Sequence, residues 1–273
     1  WVTKQFKALG DIIYLGQVPE LRRILAPQGQ PGEPEVLDIG AAVTLEEAWS
    51  TLVERMPELR EIWLRFASPP VRHAGTLVGN LANGSPIGDS APILLALGAT
   101  LVLRAGQRTR ELPLSAFYLD YMKNALMPGE FIQSVRVPMA RPVANNTGGT
   151  DVLRAYKISK RRDSDISAVC AGLFIQLDGH IIKQARLAWG GMAATARRAP
   201  LAEASLVGQV WTEATLRQAQ AALAKDFQPM SDLRASKDYR LKVASNLLER
   251  FWLETRPLNP LRAEEVQVWP AQT

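Results

Sequence analysis

The sequence predicts an α+β fold in two parts, and three observations carry that reading. Residues 152–159, 166–177 and 180–189 are consecutive β-prone, largely apolar runs, the last two joined by Asp178-Gly179, a two-residue signal for a tight hairpin. Helical patterns then follow at 201–206, 212–226 and 237–253, so strands and helices are segregated, as in an antiparallel sheet covered by helices. Ahead of both lies ARPVANNTGGT, residues 140–150, which mixes prolines, asparagines and glycines without period and marks the boundary between the parts. The divisions are therefore 1–139, 150–256 and a tail, 257–273, expected to be extended.

In the first part, 11–15 and 35–38 read as short extended pieces around a helix at 19–25 and a polar connector, GQPGEPE. Thr44-Leu-Glu-Glu47 has the form of a capping box, in which the threonine oxygen takes the N3 amide while Glu47 reaches back. The helix 45–55 that follows sets Leu45, Ala48, Trp49, Leu52 and Val53 on one face. Residues 59–66 continue helically until Ser68-Pro69-Pro70, because the residue before a proline is pushed out of the αR region. Pro92 suits the first turn of a helix through 93–97 that Gly98 closes. Strands at 99–103 and 108–112 flank a hairpin signal, 115–122 reads as a short helix, and 130–137 alternates as a strand.

Composition narrows the function classes. The chain has 273 residues, 47% of them apolar, and a net charge of +5, but its basic residues are interspersed with acids and cluster only at Arg22-Arg23, Lys160-Arg161-Arg162 and Arg197-Arg198. Such short clusters are solvated faces and not a nucleic-acid stripe. The single cysteine, Cys170, lies in an apolar run and reads as an inert buried thiol, so neither an intrachain disulfide nor an all-cysteine iron–sulfur site is available. No apolar run reaches the eighteen or so residues of a membrane span. The start, WVTKQF, has no signal-peptide core and no Met, so the expected location is cytoplasmic and the chain reads as a fragment of something longer.

The stretch most suited to a ligand is HAGTLVGNLANGSPIGDSAP, residues 73–92. It combines Gly75, Gly79, Gly84 and Gly88 with Asn80, Asn83, Thr76, Ser85, Ser90 and Asp89. Glycines let backbone N–H groups converge on an anion, and short amide and hydroxyl side chains add donors. A metal would require several His, Cys or carboxylate ligands, and only His73 and Asp89 are present. The competing reading is a surface loop rich in turn formers.

Taken in order, RFAS and TLVGNLANGSPIGD within 65–89, then GEFIQSVRVP, YKISKRRDSDISAV and AWGGMAATARRA, resemble the flavoprotein part of xanthine dehydrogenase, a molybdenum hydroxylase. The likeness is greatest to bacterial enzymes whose iron–sulfur and FAD domains form a separate small subunit, and it runs from the first residues to about residue 255. It implies an FAD-binding region of the vanillyl-alcohol-oxidase type, followed by a C-terminal domain like that of carbon monoxide dehydrogenase flavoprotein, an antiparallel sheet plus helices. It also implies that electrons taken from hypoxanthine or xanthine at a molybdopterin centre pass through 2Fe-2S clusters on partner parts of a hetero-oligomer to FAD, which reduces NAD.

By the same resemblance, Thr76, Leu77, Val78, Gly79 and Asn80 would set backbone amides and short side chains against FAD phosphate and ribityl oxygens. Phe66 would lie against the isoalloxazine; Asn83, Ser85 and Asp89 would bond polar edges; Ile132 would add backbone contact; Lys157 would place a cation near the flavin. Each has a plainer counterpart: Phe66 as core, Asp89 as a helix cap, Lys157 as an exposed lysine paired with Asp163 or Asp165. The loop 160–165 would lie beside the nicotinamide approach. Two departures stand out. Val78 occupies a position where the family often has glycine, and the family's G-G-T-D loop would precede Trp1. Competing functions are the flavoprotein of a carbon monoxide, aldehyde or N-heterocycle oxidoreductase, and a flavin-free assembly subunit.

Overall fold

The computed structural model describes residues 6, 8, 10–26, 35–139 and 149–266. Most of the GQPGEPE connector and residues 140–148 of the expected boundary lie outside the described residues. Two antiparallel sheets organise the rest. The first has the order β1-β2-β7-β3-β4, from β1 (Ile24–Leu25), β2 (Val36–Gly40), β3 (Thr100–Ala105), β4 (Arg108–Pro113) and β7 (Phe131–Pro138). A small hairpin, β5 (Tyr118–Asp120) with β6 (Lys123–Asn124), stands beside it. The second sheet has the order β11-β10-β9-β8, from β8 (Gly149–Ile158), β9 (Val169–Asp178), β10 (Ile181–Gly190) and β11 (Arg197–Arg198).

In the first part the helices are α1 (Leu45–Arg55), α2 (Arg60–Arg65), α3 (Pro69–Ala74), α4 (Leu77–Ala82) and α5 (Ser90–Leu97). In the second they are α6 (Pro200–Leu206), α7 (Glu213–Asp226) and α8 (Lys237–Thr255), with a final turn, α9 (Ala263–Val266). The capping box at α1 forms as expected: Glu47 N donates to Thr44 Oγ1 at 3.1 Å and Thr44 N to Glu47 Oε2 at 3.0 Å.

The second sheet is covered on both faces, which explains why β9 reads as a continuous apolar run. Val169, Ala171, Leu173 and Ile175 join the core under α6, α7 and α8, whereas Cys170 and Phe174 join the core of the first part. What lies on that second face is α5. Every residue of α5 is buried, as a helix apolar all round requires, and it packs on both β9 and β10. Gly172 permits the approach, since a Cβ there would fall 2.6 Å from Pro92 O and 2.7 Å from Ile93 Cα. At its other end α5 closes on Gly98 (φ +77°), and Arg186 of β10 donates Nε to Ala96 O at 2.6 Å.

Several expectations are corrected. Residues 11–14 form no strand and run irregularly from a bend at Asp11 into a 3-10 turn, Leu15–Gln17. Residues 19–25 are a 3-10 turn, Pro19–Arg22, followed by β1, because Ile24 and Leu25 pair with Ile39 and Asp38 and this ladder outweighs local helix propensity. Ser115–Met122 is likewise not a helix: a 3-10 turn, Leu114–Ala116, passes into β5, and Met122 adopts φ +54° in the hairpin turn. Pro69 opens α3 as well as ending the preceding turn. The second-sheet hairpin turns at Gly179-His180, one residue later than expected, since Asp178 pairs with Ile181. The tail contains α9.

Arg240 ties α8 to the sheet. Buried to 2% exposure, it donates to Ala168 O, to Gly191 O at 2.7 Å and to Asp232 Oδ1 at 2.7 Å. Burial alone would raise the Asp232 carboxyl, but the Arg234 and Ala235 amides and the Arg240 guanidinium outweigh it and hold it at about 2.

Two outcomes follow from this packing. Gly172→Ala is expected to destabilise the fold by about 1–3 kcal/mol, because the opposing atoms are backbone and cannot step aside; an unchanged melting temperature would contradict the close contact. A carboxyl whose folded pKa lies below its unfolded value stabilises above the unfolded value and loses that contribution as pH falls through the folded one. The melting-temperature gap between the wild-type protein and Asp232→Asn should therefore be full at pH 6 and shrink from about pH 4 toward pH 2.

Candidate cofactor site

The glycine-rich stretch folds into α3, α4 and a turn at 83–88, so the open-loop reading is replaced by a short helix with a buried and an outward face. Thr76 caps α4, its Oγ1 accepting from Gly79 N at 3.0 Å. A Cβ on residue 79 would fall 2.7 Å from that oxygen, so glycine lets the cap close. Leu77, Val78 and Leu81 are buried, leaving Gly79 exposed and Asn80 half-buried on the outer face. Val78, at 4% exposure, points into the core; its branching does not crowd the outer face.

The turn that follows is tied to both parts. Gly84 (φ +60°) donates to Leu81 O at 3.0 Å, Gly88 to Ser85 O at 3.0 Å, and Gly191, at the end of β10, to Pro86 O at 2.7 Å. Ser85 Oγ accepts from Ile87 N at 3.4 Å, and Asn83 is exposed. Asn80 Oδ1 is buried without a hydrogen-bond partner, and beside it a Cβ on Gly88 would stand 3.7 Å away. A cleft of about 140 Å³ opens between Asn83-Gly84 and the β5–β6 hairpin, bounded by Tyr118, Met122 and Lys123. Tyr118 donates its hydroxyl to Leu81 O at 3.1 Å, and burial pushes its phenol up.

Asp89 and Lys157, expected to meet the cofactor separately, are each other's partners. Lys157 Nζ donates to Asp89 Oδ2 at 2.6 Å and to Ser167 Oγ at 2.8 Å, while Ser167 Oγ donates to Asp89 Oδ1 at 2.5 Å. Lys157 is 4% and Asp89 6% exposed, so the reading of an exposed lysine paired with Asp163 or Asp165 is overturned. The Asp89 side chain makes no cap bond to α5. Arg65 holds the backbone of Lys157 from the other side, donating to Lys157 O at 2.9 Å, Ser159 Oγ at 3.2 Å and Arg162 O at 3.1 Å.

Asp165 organises the charged loop, accepting from Arg161 N at 2.8 Å, a bond that lowers its carboxyl. Cys170 is fully buried, its Sγ 3.8 Å from Asp89 O, and burial pushes the thiol well up, as expected of an inert group.

Two further residues named from the sequence carry buried side chains. Phe66 is 5% exposed and packs on Trp49, ring centroids 6.0 Å apart, so most of its ring lies in the core of the first part. The Ile132 side chain is also buried, leaving its backbone on β7, where the register shifts against β3 next to it, between Val102 and Leu103. β7 packs on α4 and α5, the helices on either side of the glycine-rich turn. Ser167 and Arg65 escaped the sequence reading: nothing in their spacing distinguishes a serine in DISAV or an arginine ending α2. Among the described residues no group of three or more His, Cys, Asp or Glu is placed to hold a metal, and no helix is long and apolar enough to cross a membrane.

Comparison with known proteins agrees with this architecture. Residues 1–140 match the FAD binding domain in molybdopterin dehydrogenase, and 154–255 match the CO dehydrogenase flavoprotein C-terminal domain. Xanthine dehydrogenase of Emericella nidulans is 34% identical over 257 residues, 89% of this chain; the chain spans 18% of that protein's length. The structure of carbon monoxide dehydrogenase from Hydrogenophaga pseudoflava superposes with a TM-score of 0.75 at 28% identity, covering 86% of this chain and 77% of that one. Quinoline 2-oxidoreductase from Pseudomonas putida 86 superposes at 0.71 with 26% identity, covering 88% and 79%. With its first half matched to the FAD-binding domain and its second to the flavoprotein C-terminal domain, the chain belongs to the flavoproteins of the molybdenum hydroxylase family of oxidoreductases.

Proposed function

We propose that the chain is the FAD-containing electron-transfer part of a xanthine dehydrogenase, with NAD as the acceptor. Electrons would reach it from iron–sulfur clusters that a molybdopterin-bearing partner reduces, within a hetero-oligomer of the cytoplasm. The observation that favours xanthine dehydrogenase is the 34% identity across 89% of the chain. A second reading, the flavoprotein of a carbon monoxide dehydrogenase, is favoured by the superposition at TM-score 0.75.

The residues fit the cofactor on one observation in particular. The buried Asn80 Oδ1 has no donor, and a ribityl hydroxyl or a ring N–H of FAD would supply one. The outward backbone of Thr76, Gly79 and Asn80, with Asn83 and Ser85 in the turn, would hold phosphate and ribityl oxygens; Leu77 and Val78 contribute backbone alone, their side chains being core. Ile132 would contact the cofactor through its backbone. Lys157, with Asp89 beside it, would direct a cation at the electronegative edge of the ring and favour negative charge there. Bound FAD supplies the exchange between one-electron and two-electron carriers. The chain's own part is to bind the cofactor, exclude water from it and fix the field around it.

An absorption spectrum of the purified protein tests the reading: visible flavin bands support it, and their absence leaves only a flavin-free assembly role. Bleaching of those bands by NADH under anaerobic conditions would support NAD as acceptor, whereas bands that NADH leaves untouched remove it. Asn80→Ala should weaken FAD binding about tenfold, about 1.4 kcal/mol, without lowering the melting temperature of the apoprotein, followed by flavin release on dilution. Undiminished retention would take Asn80 out of the site.

A further inference from the structure

Ser167 occupies an unusual place. It enters β9 from the charged loop, is 2% exposed, and closes a three-membered ring of hydrogen bonds with an ammonium and a carboxylate. Its hydroxyl accepts from Lys157 and donates to Asp89, which uses both capacities of the one oxygen in the only sense the two charges allow. Both Asp89 oxygens are thereby engaged. Of the three N–H groups of the Lys157 ammonium, two have acceptors among the described residues, leaving one.

We propose that Ser167 is a positioning residue for the flavin: by taking one Lys157 N–H and satisfying one Asp89 oxygen, it aims the third ammonium N–H, and the field of the cation, at the cofactor. The inference rests on the flavin reading above. The physical reasoning is a competition for Asp89. With the hydroxyl in place, the carboxylate's negative charge is shared between two donors, and one ammonium N–H is drawn to Ser167 and away from Asp89. Without it, Asp89 Oδ1 loses its donor in a site 6% exposed, and the ammonium N–H that Ser167 held turns to that oxygen, so Asp89 takes two of the three N–H groups. The positive field felt by a neighbouring ring then falls, which disfavours the extra electrons of its reduced form. Ser167 lies next to Ala168, whose carbonyl the buried Arg240 grips, so its backbone is pinned independently of the ring of bonds.

The test uses the full-length protein with its flavin. Ser167→Ala should lower the flavin midpoint potential and weaken FAD binding about tenfold, and Ser167→Thr, which keeps the hydroxyl, should restore both toward wild type. Ser167→Thr and Ser167→Val have the same shape and differ only in the hydroxyl, so this pair decides the matter should the alanine variant not fold. The potential is the reading that a merely structural serine would not move. A potential and FAD affinity equal in Thr and Val variants, or unaltered in Ser167→Ala, would overturn the proposal while the flavin bands persist. Absence of flavin from the wild-type protein would instead remove the reading on which it rests, and the proposal with it.

Discussion

Asp89 and Lys157 come from different sheets' territories and meet where neither has water to fall back on. Asp89 ends the glycine-rich turn of the first part; Lys157 lies near the end of β8 in the second. Desolvating both charges costs several kcal/mol per ion, and mutual attraction offsets this only where the remaining polar valences are filled. Ser167 fills two of them. The pair is therefore conditional: removing one partner strands the other, at about 3–5 kcal/mol. The pair ties the end of β8 in the second part to the glycine-rich turn of the first.

That arrangement is carried by α5, which begins at the pair and runs across the second sheet. A helix with no polar face cannot serve as a surface element; it has to be enclosed, and two sheets enclose it. Its first turn carries Pro92 over Gly172, and its last carries Ala96 O to Arg186. The candidate site thus shares its floor with the core. The outer faces of α4 and the turn are available to a ligand because their inner faces, Leu77, Val78 and Leu81, are committed to packing.

Much of this was legible in the sequence, for identifiable reasons. Thr44 and Glu47 announced α1 because a capping box is a local device, and β9 with β10 announced themselves because a sheet buried on both faces leaves an unbroken apolar run. The local signals failed where long-range pairing decided: Ile24 and Leu25 look helical until β2 lies beside them, and 115–122 turned into a hairpin around Met122. In the site, the glycine-rich stretch was recognisable by composition, yet its helix was not, since Gly79 and Asn80 are poor helix formers rescued by the Thr76 cap. Phe66 and Trp49 are far enough apart in sequence that their contact leaves no trace in either motif. The partnership of Lys157 with Asp89, 68 residues away, was invisible for the same reason.

The contact of Gly172 with the backbone of α5 also restricts how the molecule can move. A seam closed by side chains can slide by rotamer changes, but one in which backbone lies on backbone has no such slack. Gly191 is fastened to Pro86 and Arg65 to the end of β8, so among the described residues hydrogen bonds to backbone carbonyls as well as packing join the two parts.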